Sequence, residues 1–69
     1  MKLTLIAKIE GKGIRACVIE VDTFDPVRYL RDNPDVLEVQ TEVFDHEAGA
    51  YVISAPLHRD QVNPVYLGD

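Results

Sequence analysis

The sequence predicts an α+β domain of ββαββ layout, a four-stranded sheet with one short helix packed on one face. Three observations carry this. Lys2 to Glu10 and Val36 to Phe44 alternate polar and apolar residues with a period of two, the pattern of strands with one buried face. Gly11-Lys12-Gly13 and Asp45-His46-Glu47-Ala48-Gly49-Ala50 place turn residues directly after those runs, so each run opens a hairpin. Between the hairpins, Asp22 to Asn33 carries helix start and stop signals.

In the first strand Leu3, Leu5, Ala7 and Ile9 share one face, and Lys2, Thr4, Lys8 and Glu10 share the other, with Ile6 as the exception. The two glycines that follow supply the positive φ angles of a tight hairpin. No P-loop pattern accompanies them, so a plain turn is expected rather than a phosphate cradle. The return strand, Ile14 to Val21, is apolar on both faces, with Ile14, Ala16 and Val18 on one side and Cys17, Ile19 and Val21 on the other. Either both faces are covered or one is left for a partner. Cys17, mid-strand, is expected to be a buried and inert thiol, since Arg15 is the only cation close by in sequence.

For the helix, Thr23 or Asp25 can cap the start, and Pro26 suits a first-turn position. Phe24, Val27 and Leu30 form a narrow stripe toward the sheet, and Pro34 stops the helix near Asn33, after about two to three turns. In the third strand Leu37, Val39, Thr41 and Val43 face inward, while Glu38, Gln40, Glu42 and then Phe44 face outward. Gly49 suits a left-handed turn position, and Phe44 and Tyr51 can pair across the turn. Tyr51 to Ala55 returns and Pro56 ends it. Residues 1–56 therefore form one domain. Residues 57–69 lack periodicity, and their apolar cluster Val65-Tyr66-Leu67 is expected to fold back over an open sheet face, with disorder or a docking motif as the alternatives.

A helical crossover between two hairpins favours a right-handed connection with the first and last strands as parallel neighbours, giving the order 2-1-4-3. Leu3–Ala7 and Tyr51–Ala55 are then central, and the polar-faced Val36–Phe44 is an edge. This layout, with a six-residue acidic turn between the aromatic residues Phe44 and Tyr51, resembles the immunoglobulin-binding domains of protein G, a β-grasp arrangement. The resemblance covers about the first 55 residues in element order. It implies a fold, and no binding residue is carried over from it.

At 69 residues and 7.8 kDa the chain is close to the size at which one core is only marginally stable. A single cysteine permits no internal disulfide. The net charge of −5 makes nucleic acid a poor direct partner and a basic protein surface a better one. No basic start with a long apolar run and a cleavage site is visible, and no apolar run approaches a membrane span, so a cytoplasmic protein is expected.

Neither catalysis nor a cofactor is indicated. Asp45, His46 and Glu47 are the only tight titratable cluster, and adjacent turn residues rarely supply a full metal-ligand set. Glu38 and Glu42 lie about 13 Å apart along one strand face, too far to act on one bond. Cys17 has no spacing that links it to His46 or His58 as a nucleophile pair.

The charge map says more. Six of the seven Lys and Arg residues precede Asp32, and the span from Asp32 to His58 holds six acids and no Lys or Arg. A solvated acidic face is the bland explanation. The functional one is a binder, inhibitor or adaptor that docks a basic surface of another protein through an acidic edge strand and turn. Its expected contacts are Glu38, Gln40, Glu42, Asp45 and Glu47, with Tyr66 as an outlying anchor. A small acidic binder of this kind can be an inhibitor carried by a phage or plasmid and aimed at a host machine; a separate, sharper version has the carboxylates imitate a phosphate backbone. The alternatives are a homodimer through edge addition of Ile14–Val21, or a small metal- or ligand-binding domain at Asp45-His46-Glu47.

Overall fold

Each alternating segment forms a strand in the computed structural model, which describes residues 1–68. Strands β1 (Lys2–Ile9) and β2 (Gly13–Glu20) form the first hairpin, and β3 (Val36–Asp45) and β4 (Ala50–Ile53) the second. Helix α1 (Pro26–Asp32) joins them, and a two-residue strand β5 (Leu57–His58) follows β4. All five strands belong to one antiparallel sheet.

The helix is shorter than the expected Asp22–Asn33. Asp25 remains extended, with φ −109° and ψ 106°, and its carboxylate accepts hydrogen bonds from the Val27 and Arg28 amides at 3.0 and 3.3 Å. Pro26 then opens the helix, and Pro34 prevents its continuation past Asn33. Leu30 is fully buried from α1 and meets Leu3, Leu5 and Ala7 of β1 and Val36 and Val39 of β3. Among the described residues these six form the buried core, with Phe24, Tyr29, Ile19 and Val43 packed around it.

The strand order is β2-β1-β3-β4, with β5 pairing β3 beyond β4. The first half of the expected order stands. The second half is reversed: β1 lies beside β3, antiparallel, and not beside β4 in parallel. Val36–Phe44 is accordingly no edge. It pairs with β1 on one side and with β4 and β5 on the other. The reason lies in the helix and the strand lengths. A seven-residue helix reaches about 10 Å, enough for the two strand spacings from β2 across β1 to β3, whereas the expected order requires three. The ten-residue β3 also buries Val36 and Val39, while all four residues of β4 are exposed, so β3 takes the interior place.

The register of β1 against β3 shifts by one residue, with Lys8 opposite Glu38 but Ile9 opposite Val36. Leu37 is the extra residue of this bulge, and it is exposed rather than inward as the alternation suggested. From Glu38 onward the expected facing holds.

Residues 57–68 lie back on the domain; Asp69 lies outside the described residues. After β5 come two 3-10 turns, Arg59–Gln61 and Pro64–Leu67. Arg59 fastens this segment. Its Nε donates to the Val36 carbonyl at 2.7 Å, and its Nη2 donates to the carbonyls of Asn33, at 2.7 Å, and Leu30. The orphaned carbonyls at the end of α1 are thus satisfied by a side chain from beyond β5. Leu67 packs against the core from the last turn.

Candidate functional site

The helix covers one face of the sheet and leaves the other open. Leu3, Leu5 and Ala7 turn toward α1, so the alternate residues of every strand stand on the helix-free face. Directly opposite residues of an antiparallel pair share a face, which fixes the pattern there. Glu38 lies between Lys8 of β1 and His58 of β5. Gln40 lies beside Ile6, and Glu42 lies between Thr4 and Ile53. Phe44 lies opposite Tyr51. On the far side of β1, Ile14, Ala16 and Val18 of β2 stand opposite Lys8, Ile6 and Thr4.

Most of this face is uncovered. Ile14, Val18, Tyr51 and Ile53 are 68, 60, 68 and 55% exposed, and Phe44 is 42% exposed. An aromatic corner forms at one end. Phe44 meets Tyr51 edge-to-face at 5.2 Å between ring centres and meets the His46 ring at 5.0 Å. Beside that corner a shallow concavity of about 680 Å³ is lined by Lys2, Thr4, Val18, Glu42, Phe44 and Tyr51. The face is therefore apolar and aromatic, with charges set among the apolar groups.

The residues expected to bind a partner divide sharply. Glu38, Gln40 and Glu42 share the helix-free face, in the middle of the sheet and not along its rim. Glu38 is largely covered, and its Oε2 lies 3.4 Å from His58 Nδ1. The Gln40 side-chain amide donates to the Ser54 carbonyl at 3.1 Å, where the Ser54 hydroxyl accepts from the Thr41 amide at 3.0 Å and β4 leaves the sheet. Asp45 is also committed: its Oδ1 accepts from the Glu47 and Ala48 amides at 2.9 and 3.2 Å and shapes the turn. Glu42 and Glu47 have no ion-pair or hydrogen-bond partner for their carboxylates among the described residues. Tyr66 is exposed in the turn packed on α1, on the opposite side of the sheet from Glu42.

Two neighbours of Glu38, Lys8 and His58, leave no mark in the local sequence pattern. The alternation of β1 turns Lys8 outward, but nothing in its local pattern points to Glu38, thirty residues on. His58 gave no signal at all, since its pairing depends on β5. At Asp45-His46-Glu47, Asp45 is held in the turn and His46 lies against Phe44; no group of three possible metal ligands comes together among the described residues.

Cys17 is exposed, contrary to expectation, because β2 is the sheet edge with no element beyond it. Tyr29 lies beneath this edge, and its hydroxyl pKa is raised above the ordinary phenol value. Burial is the main cause, and the negative charge of a Cys17 thiolate and of Asp35 adds to it. On the helix side a smaller apolar groove of about 250 Å³, lined by Leu3, Phe24, Val39, Val43 and Leu57, remains where the short α1 does not reach. No helix among the described residues is long and apolar enough to cross a membrane.

Comparison with known proteins adds nothing to this geometry: no protein-family model, no curated protein and no solved structure matches the chain.

Proposed function

We propose that this chain is a small protein-interaction module, a binder, inhibitor or adaptor, that docks a partner protein through the helix-free face of its sheet. The observation that carries the reading is the exposure of Val18, Phe44, Tyr51 and Ile53 around Glu42 on one continuous surface. A six-residue core leaves little stability to spare, and a chain that still leaves these groups in water has a use for them. Aromatic residues in a shallow concavity anchor an interface, and a nearby carboxylate selects and steers a basic group of the partner. Of the carboxylates expected as contacts, Glu42 and Glu47 are the ones without a hydrogen-bond or ion-pair partner among the described residues. Glu38, Gln40 and Asp45 support the surface by holding β5, β4 and the turn. We place the protein in the cytoplasm, where a lone thiol such as Cys17 stays reduced.

Mimicry of nucleic acid is the weaker form of this reading. Lys8 stands opposite Glu38, so a cation lies beside the first carboxylate of the line that would imitate phosphates.

The test is capture from cell extract with tagged protein, comparing the unaltered chain with Tyr51→Ala and with Glu42→Lys. A partner retained by the first, weakened at least about tenfold by either substitution and released at high salt supports the proposal. Equal retention by all three proteins rules out the helix-free face as the docking surface.

A further inference from the structure

The free edge of β2 is built to receive a second strand, and the geometry points to a second copy of this chain as its occupant. Two hydrogen bonds fix which backbone groups of β2 are unused. The Val21 amide donates to the Met1 carbonyl at 2.8 Å, and the Met1 amino group donates to the Val21 carbonyl at 2.6 Å. Bonded pairs alternate along an antiparallel ladder, so Ile19, Cys17, Arg15 and Gly13 bond to β1. The amides and carbonyls of Ile14, Ala16, Val18 and Glu20 therefore point away from the sheet. Their side chains all stand on the helix-free face.

Nothing blunts this edge. β2 is eight residues long, contains no proline, and has a single charged residue, Arg15, between Gly13 and Glu20. Every one of its residues except Ile19 is exposed. The other edge is broken: β4 is only four residues long, and Ser54-Ala55-Pro56 interrupts it before β5 continues in the same direction along β3 for two residues.

A two-fold axis through Ala16 satisfies every requirement at once. Ala16 then bonds Ala16 of the second copy, and Ile14 of each copy bonds Val18 of the other, so every outward amide and carbonyl from Ile14 to Val18 is paired. On the helix-free face this sets Ile14 against Val18, apolar against apolar, at both ends of the contact. It also brings the hairpin turn that carries Lys12 of each copy to the Glu20 end of the other strand, so opposite charges come together at both ends of the contact, where Glu20 also holds its own Met1 amino group at 3.4 Å. A register centred on Cys17 would instead oppose Ile14 to Glu20. We infer a symmetric dimer in which the two sheets join through β2 and the two helix-free faces become one surface. The pairing takes only Val18 from the face proposed for docking and leaves Glu42, Phe44, Tyr51 and Ile53 clear, and Ala16→Pro touches none of these, so each idea can fail alone.

Sedimentation of the full chain over a concentration series tests it, alongside Ala16→Pro and Val18→Lys variants. Ala16→Pro removes an amide that β1 does not use, and Val18→Lys places a charge against Ile14 of the other copy. The expected result is a monomer–dimer equilibrium for the unaltered chain and monomers for both variants, with circular dichroism unchanged. A strict monomer throughout the series, or a dimer indifferent to both substitutions, would overturn the proposal. Should the variants unfold, amide hydrogen exchange on the unaltered chain decides. Ala16 and Val18 become protected as concentration rises if the strands pair, and exchange as open amides at every concentration if they do not. Oxidation reads the register. Rapid formation of a Cys17–Cys17 disulfide would contradict the Ala16-centred axis, and its absence in a dimer supports it.

Discussion

Lys8 and Glu38 stand directly opposite each other on the two central strands of the sheet. They are thirty residues apart in sequence, so the acidic character of Asp32–Ser54 is partly offset in space by the first hairpin. This pairing separates a local excess of acids from an acidic surface. Replacing Lys8 by Glu sets like charges opposite each other and is expected to destabilise the domain by about 0.5–1 kcal/mol. Urea unfolding at low and high salt reads this, and the difference from the unaltered protein should shrink as salt screens the repulsion.

Arg59 is expected to be the most sensitive polar residue. Its guanidinium serves the carbonyls of Leu30, Asn33 and Val36, all at the junction of α1 and β3. Arg59→Ala removes a donor from all three carbonyls, of which that of Asn33 keeps the Val36 amide at 3.0 Å, and frees the chain after β5. A loss of about 2–3 kcal/mol is expected for a part-buried, charge-assisted bond set of this kind. In a domain of this size that lowers Tm by roughly 10 °C or more. Arg59→Lys keeps the charge but loses the planar fork, and should fall between the two.

Tyr29 makes stability depend on pH at the alkaline end. Its folded pKa is raised, first by burial and then by negative charge at Cys17 and Asp35. The neutral phenol is therefore favoured in the folded state. The sign is fixed: below the unfolded tyrosine value of about 10 both states hold the proton and no difference arises. Above it the unfolded chain ionises first, so stability falls as pH rises toward and through the raised folded value. Thermal melts from pH 8 to 11 should show this decline, and Tyr29→Phe should flatten it.

How much of this was legible in the sequence differs by element. Period two marked β1 and β3, the glycines marked the first hairpin, and Asp25 with Pro26 marked the helix start, because each is a local physical requirement. Strand order was not legible. Both arrangements bury Leu3, Leu5, Ala7 and Val39, and the choice depends on how far a seven-residue helix reaches. The site shows the same division. The outward facing of Glu38, Gln40 and Glu42 followed from alternation, whereas their neighbours Lys8, Ile53 and His58 come from pairing between distant segments. Arg59 sits in an aperiodic stretch, and a single side chain that reaches back to a helix end leaves no pattern to read.

Gly49 holds the β3–β4 turn at φ +64°, with its amide bonded to the Asp45 carbonyl at 2.8 Å. A side chain there would meet no atom within 4 Å, so the penalty of Gly49→Ala is conformational alone. A destabilisation of about 1–2 kcal/mol is expected. Gly49→Asn, which tolerates the left-handed region, should lose less. Chemical unfolding of both variants makes the comparison.

The most direct test of the docking surface is an amide chemical-shift map of the labelled protein, titrated with the partner that capture identifies. Shifts are expected across Lys2–Lys8, Glu38–Phe44 and Tyr51–Ile53, with α1 and the Pro64–Leu67 turn unmoved. Shifts confined to α1, the turn that carries Tyr66 and the groove beside Phe24 would contradict the account, since they would place the partner on the helix side of the sheet.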